Sequence, residues 1–223
     1  RTTIVRDLSL TVLRGDKIGL IGPNGAGKTV LFSAITGLCP VDEGNVEVAT
    51  GKTVAYCPDV PQFESWLTAT EIVETSLALS DASGDISVSE ALDQCGLTRV
   101  AHRRVADFSR GMLQRLGIAA ALVLDPGVLI LDEPNSALDP VGRADVRRLI
   151  HEQKQHRCIL LSSHLLSEVE QLADHIIVIS EGRVISQGTT VDLLTSGREP
   201  SWTLRFLHSY EPDEQARLTA RLH

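Results

Sequence analysis

The apolar residues of the chain fall into short continuous runs, separated by segments with helical spacing. Continuous apolar runs are typical of strands that are buried on both faces of a parallel sheet. Strands are predicted at residues 18–21, 53–56, 128–131, 158–161 and 176–179. Helices are predicted at residues 29–38, 70–79, 87–95, 109–124 and 143–151. Strands that alternate with helices in this way predict an α/β fold.

Two regions depart from the alternation. Residues 68–124 are mostly helical and are predicted to form a helical insertion, with Ser109 as a suitable N-cap. Near the C-terminus, residues 202–207 alternate like a strand and residues 213–222 predict a helix, two elements too few to form their own core. We therefore expect one domain over residues 1–198 and a C-terminal extension over residues 199–223, interpreted as the start of a truncated small domain.

Composition and charge narrow the function classes. The formal net charge of −8 argues against nucleic acid as a partner. The longest apolar region, residues 116–131, is interrupted by Asp125-Pro126-Gly127 and does not predict a membrane span. The four cysteines are scattered and form no CxxC pair, so we interpret them as reduced, mostly buried thiols of a cytosolic protein.

The stretch GPNGAGKT, residues 22–29, has the pattern GxxxxGK[ST] between a predicted strand and a predicted helix. Its glycines allow consecutive N–H groups to converge on an anion, and the helix N-terminus adds partial positive charge. We expect Lys28 to reach the β- and γ-phosphates of a nucleotide and the Thr29 hydroxyl to hold Mg²⁺. The other candidate binding residues of this loop are Gly22, Pro23, Asn24, Gly25, Ala26 and Gly27. The alternative is a glycine-rich turn with a surface lysine.

Two carboxylates follow the apolar run at residues 128–131. Ligands of such sheets bind at the carboxyl ends of the strands. Asp132 is therefore a candidate Mg²⁺ ligand, and Glu133 is a candidate to polarise a water that attacks the γ-phosphate. The alternative is a strand that ends in a solvated acidic turn, but the phosphate loop upstream favours the functional interpretation.

Further motifs occur downstream: FSRGMLQR at residues 108–115, SALD at residues 136–139, and His164 after an apolar strand. In order and spacing, these motifs, the phosphate loop and the acidic strand end resemble ATP-binding cassette (ABC) ATPases over residues 4–194. The resemblance implies a P-loop NTPase core with a mostly parallel sheet, an antiparallel β subdomain and the helical insertion. It also implies that ATP and Mg²⁺ are bound and that ATP is hydrolysed.

The resemblance assigns roles to individual residues. Ser109 and Gly111 would contact the γ-phosphate of ATP bound to a second subunit, and Asp139 would lie in the loop that crosses this dimer interface. His164 would contact the γ-phosphate and order the attacking water, with Glu133 and Lys28 as the other catalytic residues. Two ATP molecules would be sandwiched between two head-to-tail subunits.

The sequence departs from the family pattern at several positions. Asp59 stands where the family has a loop glutamine; it is a candidate Mg²⁺ ligand, and we expect it to alter the rate of hydrolysis. Arg110 and Met112 flank Gly111 in the signature, a variant that resembles the ABC-2-type exporter subclass. Residues 1–20 contain no aromatic residue, so we expect the adenine-stacking aromatic and the first strand of the antiparallel subdomain to precede Arg1.

The resulting hypothesis is the ATPase subunit of a bacterial ABC exporter, held at the inner face of the membrane by a separate permease chain. The insertion near residues 63–71 would form the groove that receives the permease, with Phe63 and Trp66 as candidate contacts or as local packing. Two alternatives remain open: an ABC ATPase that acts on ribosomes or DNA, and a nucleotide-gated module that does not hydrolyse ATP.

Overall fold

The computed structural model describes residues 5–6, 8–80, 85–136, 138–153 and 155–195. By its internal contacts the chain divides into two compact units, Arg1–Leu193 and Leu194–His223. The strand and helix predicted at residues 202–207 and 213–222 lie outside the described residues.

A six-stranded sheet forms the centre of the first unit. Its strands are β1 (Lys17–Ile21), β2 (Val54–Cys57), β3 (Val128–Leu131), β4 (Cys158–Ser163), β5 (His175–Ser180) and β6 (Arg183–Thr189). They lie in the order β2-β3-β4-β1-β5-β6, and all neighbours are parallel except β5 and β6, which are antiparallel. The predicted α/β fold with a mostly parallel sheet is confirmed.

Helices connect the strands. They are α1 (Lys28–Ile35), α2 (Ala69–Ala78), α3 (Val88–Gln94), α4 (Arg110–Leu122), α5 (Pro140–Gln153), α6 (Leu166–Leu172) and α7 (Thr190–Thr195), with two 3₁₀ turns at Thr98–Val100 and Val105–Asp107. The five predicted helices correspond to α1–α5, whereas α6 and α7 were not predicted. Among the described residues, no helix combines the length and the apolar character that crossing a membrane requires.

Helices α2, α3 and α4 form the predicted insertion, and each begins at a side-chain cap. The hydroxyls of Thr68 and Ser87 accept a hydrogen bond from the backbone N–H three residues later. The carboxylates of Glu71 and Glu90 accept in turn from the backbone N–H of Thr68 and Ser87, which completes two capping boxes. Ser109 caps α4 through a bond from Met112 N, as predicted. These caps satisfy N–H groups that a helix start would otherwise leave unpaired.

The sheet separates two apolar clusters because successive strand residues face opposite sides. On one side, β-strand residues such as Leu129 and Leu161 join Val73, Leu92 and Leu116 of the insertion in one continuous core. The insertion is therefore packed into the main core of the domain.

On the other side, Ile18 and Leu20 of β1 pack with Phe32 of α1. Upstream of β1, alternate residues Leu8, Leu10 and Val12 lie against this second cluster. The described residues of this segment form no regular strand. The antiparallel pairing within the sheet is that of β5 with β6, and an isolated antiparallel bridge joins Thr68 to Arg104.

Candidate functional site

The carboxyl ends of β1, β4 and β3 lie side by side at one edge of the sheet. In the parallel registers, Ile21 pairs with Ser163 and Leu131 pairs with Leu161. The segments that leave these strands are the phosphate loop, the acidic pair and the segment with His164. The topology therefore brings together three motifs that are far apart in sequence.

The phosphate loop has a backbone that requires glycine at several positions. Gly25 and Gly27 have φ values of 81° and 104°, in the left-handed region, and Gly27 is the N-cap of α1. Gly22 lies so close to β5 that an added Cβ would be 2.3 Å from Ile179 O. The loop is thus a compact turn that leads directly into a helix N-terminus, the arrangement that binds phosphate.

Lys28 lies at the start of α1 with only 7% of its surface exposed. Its Nζ donates to the carbonyl oxygens of Gly22, at 2.8 Å, and Pro23, at 3.3 Å. The same Nζ lies 3.3 Å from Oε1 of Glu133. The ammonium group is therefore held between the phosphate loop and the acidic strand end.

Asp132 is 2% exposed and accepts three hydroxyl hydrogen bonds. Thr29 Oγ1 donates to Oδ2 at 2.7 Å and Tyr56 OH donates to the same oxygen at 3.1 Å. Ser162 Oγ donates to Oδ1 at 2.5 Å. Burial, with the charge of Asp132 as the next cause, raises the pKa of Tyr56, so its hydroxyl stays a donor. These donors fix both oxygens of a buried carboxylate.

Glu133 adopts a backbone conformation that is rare for a residue with a side chain, with φ at 45°. Its N–H donates to Ser162 Oγ at 2.8 Å, which holds this conformation from the next strand. Oε2 lies 2.8 Å from His164 Nδ1, while the buried Oε1 forms the ion pair with Lys28 and has no hydrogen-bond partner among the described residues. Strained backbone of this kind is frequent at functional sites.

His164 follows β4 and is held by its neighbours. Ser163 Oγ donates to Glu168 Oε2 at 2.8 Å and accepts from Leu165 N at 3.0 Å. Glu168 lies 3.8 Å from Arg143, whose Nε donates to Leu138 O at 3.0 Å. The segment with His164 is thereby linked to Leu138 through α6 and α5.

Asp59 lies after β2 and accepts a hydrogen bond from Ser136 Oγ. This contact joins the loop after β2 to the segment after β3, and the sequence did not predict it. The described part of the chain holds no group of three His, Cys, Asp or Glu side chains that could bind a metal ion. Of the predicted metal ligands, Thr29 and Asp132 lie together, with Oγ1 and Oδ2 2.7 Å apart.

The signature residues lie in a separate hollow. Ser109, Gly111 and Asp139 line it together with Leu138 and Val141, at the N-terminal ends of α4 and α5. Among the described residues, no hydrogen bond or ion pair joins these three to the phosphate loop; Asp139 Oδ1 instead accepts from Gly142 N at 2.8 Å. Within one chain, the predicted nucleotide-binding residues thus form two groups.

An apolar groove lies between the loop after β2 and the insertion. Its lining includes Pro61, Phe63, Gly117 and Leu124. Pro61 packs so closely that a Cβ on Gly117 would be 2.6 Å from it. Trp66 is 64% exposed and is not part of this lining.

Residues 5–136 match the model of the family described as "ABC transporter". The chain belongs to the ABC transporter ATP-binding proteins. Members of this family hydrolyse ATP to power transport.

Similar proteins include two ATP-binding proteins of bacterial transporters. YxlF of Bacillus subtilis, an ABC transporter ATP-binding protein, is 36% identical over 208 residues, which covers 90% of this chain and 70% of the relative. The bacitracin transport ATP-binding protein BcrA of Bacillus licheniformis is 37% identical over 195 residues, or 82% of this chain and 64% of the relative. The chain thus spans about two thirds of the length of these relatives.

Solved structures share the fold. The ATP-binding subunit of an ABC transporter superposes with a TM-score of 0.73 at 32% identity, covering 85% of both chains. An ATP-bound bacterial Atm1-family ABC exporter superposes with a TM-score of 0.72 at 24% identity, covering 86% of this chain and 36% of that chain.

Two residues of this site are not predicted by the sequence motifs. Tyr56 and Ser162 both hold Asp132, yet neither belongs to a motif that carries chemistry by itself. Their only signal was position, since Tyr56 ends the strand predicted at residues 53–56 and Ser162 directly follows the strand predicted at residues 158–161.

Proposed function

We propose that the chain is the ATP-hydrolysing subunit of a bacterial ABC exporter that works with a separate transmembrane permease. The observation that carries this proposal is the arrangement around Glu133, whose two oxygens face Lys28 and His164. A carboxylate between an ammonium and an imidazole, beside a phosphate loop, suits a water that attacks a terminal phosphate.

The chain's own residues supply most of the catalysis by position and charge. Lys28 and the N–H groups of residues 24–29 hold the triphosphate, and Glu133 accepts a proton from the attacking water. His164 orders this water and contacts the γ-phosphate. Asp59 is a further candidate ligand of the metal, although in the structure it accepts a hydrogen bond from Ser136.

The residues present fit Mg²⁺. Thr29 Oγ1 and Asp132 Oδ2 lie 2.7 Å apart, and Mg²⁺ in nucleotide sites is held by few protein oxygens together with water and phosphate. Mg²⁺ would neutralise charge that develops on the phosphates.

The second group of predicted residues supports a dimer. Ser109, Gly111 and Asp139 line an open hollow away from the phosphate loop, so one chain has half of each composite site. A second copy, or a paralogue, placed head to tail would bring its signature to this phosphate loop. Binding of ATP then closes the dimer and hydrolysis reopens it.

The apolar groove is proposed to receive a helix of the permease. Phe63 lines the groove, whereas Trp66 does not line it and is exposed, and it is proposed as a second contact with the permease. Docking there would hold the chain in the cytoplasm at the inner face of the membrane. Export is suggested by the resemblance to the ABC-2 type and by the bacitracin transport relative. Residues 199–223 are proposed as a C-terminal extension.

The test is phosphate release with Mg-ATP, measured over a range of protein concentrations for the wild type and for Glu133→Gln. We expect wild-type turnover to rise faster than linearly with protein concentration, because the complete site needs two chains. The variant should bind ATP with wild-type affinity and release almost no phosphate.

Nucleotide binding in the same samples separates the outcomes. ATP binding without turnover at any concentration, both alone and with the permease present, would contradict hydrolysis by this chain. Turnover strictly proportional to protein concentration would contradict the composite site. No ATP binding by the wild type would contradict the whole proposal.

A further inference from the structure

Tyr56 has no part in the proposed catalysis or nucleotide binding, yet its hydroxyl donates to Asp132, the proposed Mg²⁺ ligand. It is the third residue of β2, and its backbone pairs with Ile130 of β3 in the parallel register. One step further, Asp132 N donates to Cys57 O at 2.9 Å. The end of β2 is therefore tied to the start of the acidic segment, and the phenol lies directly beside Asp132.

The three donors to Asp132 come from three different elements. Thr29 lies in α1, Tyr56 in β2 and Ser162 in β4, and the first two share Oδ2. Since Thr29 is the hydroxyl expected to turn towards Mg²⁺, its bond to Oδ2 is the one that metal binding disturbs. The Tyr56 hydroxyl at 3.1 Å is then the donor that keeps Oδ2 in place.

Tyr56 is itself fixed by packing. Its side chain is partly buried against the cluster that contains Phe32 and Ile130, on the α1 side of the sheet. A ring packed against an apolar cluster loses little further freedom when its hydroxyl donates. Such preorganised partners of a metal ligand orient it and are typically worth 10- to 100-fold in metal affinity.

Resting on the proposed function, we propose that Tyr56 is a positioning residue for the magnesium site: its hydroxyl holds Oδ2 of Asp132 in the orientation that Mg²⁺ requires. The tyrosine does not touch the nucleotide. It acts through Asp132 alone, so its contribution appears in the metal dependence and not in the binding of the triphosphate.

The test compares the wild type with Tyr56→Phe, which removes the hydroxyl and keeps the ring. ATP affinity is measured in EDTA and across a Mg²⁺ titration, and Mn²⁺ binding to the nucleotide complex is followed by electron paramagnetic resonance. We expect ATP affinity in EDTA to be unchanged. The Mg²⁺ and Mn²⁺ concentrations at half saturation should rise about 10- to 100-fold, with kcat largely recovered at saturating Mg²⁺.

Thr75→Val is the matched control, because it also removes one hydroxyl. Thr75 Oγ1 donates to Glu71 O of its own helix at 2.6 Å, in α2. We expect this variant to behave as the wild type in every titration.

Two results would overturn the proposal. One is an unchanged metal requirement in Tyr56→Phe. The other is an equal loss of ATP affinity in EDTA, which would show a general effect on the loop. Neither result contradicts the proposed function if ATP turnover by the wild type requires Mg²⁺. Wild-type turnover that does not depend on Mg²⁺ would contradict the proposed function itself.

Discussion

Ser162→Ala removes the side chain that joins the two acidic residues of the site. The hydroxyl is fully buried, donates to Asp132 Oδ1 at 2.5 Å and accepts from Glu133 N at 2.8 Å. Loss of a hydrogen bond to a charged group costs about 1.5–3 kcal/mol, and a buried N–H left unpaired costs about 1–3 kcal/mol. The two losses overlap, so we expect the free energy of unfolding to fall by about 3 kcal/mol.

A domain with a typical stability of about 5–15 kcal/mol stays folded after such a loss, so activity can be measured. Turnover should fall about 10- to 100-fold, because Glu133 keeps its left-handed backbone partly through this bond. Unfolding is followed by circular dichroism in urea, and turnover by phosphate release.

The neighbouring Ser163→Ala is the control. Ser163 is 2% exposed and also makes two hydrogen bonds, to Glu168 and Leu165, but none to Asp132 or Glu133. We expect a similar loss of stability and a smaller loss of turnover. Equal losses of turnover in the two variants, or wild-type behaviour of Ser162→Ala, would refute the reasoning.

Three further predictions concern other parts of the chain. Glu133→Gln should dimerise with ATP in size-exclusion chromatography; a variant that stays monomeric would remove the main support for the sandwich dimer. Asp59→Gln should leave ATP affinity intact and change turnover measured with permease present, and an unchanged rate would mean that Asp59 does not reach the site. At pH 8 a thiol reagent should quickly modify only Cys39 in the native chain, because burial raises the pKa of the other thiols, to about 12 for Cys95 and Cys158. Rapid reaction of a second thiol would contradict that burial.

The strands of the parallel sheet could be predicted because their signal is local. A central parallel strand is apolar on both faces, as in residues 158–161, and needs no partner to be recognised. Strand β6 was missed because it is an exposed edge strand, Arg183–Thr189, with Ser, Gln and Gly in its second half. Helix α6 has only seven residues, too few for a clear periodicity.

The candidate site likewise contains residues that a local motif predicts and residues whose roles depend on the tertiary structure. The phosphate loop and the acidic pair were readable because each is one short segment whose residue types specify its chemistry. The roles of Tyr56 and Ser162 depend on which strands are neighbours and in which register, and no local pattern contains that information. The left-handed conformation of Glu133 is likewise imposed by tertiary contacts, against its intrinsic preference.

The bond between Thr29 and Asp132 joins residues 103 positions apart in the chain, which bears on how the protein folds. Closing so long a loop costs entropy before any contact compensates it, and parallel sheets with many such contacts fold slowly. The proposed magnesium site is complete only when β1, β2, β3 and β4 have assembled in register. We therefore expect magnesium-dependent nucleotide binding to appear late in refolding, after most of the helical signal.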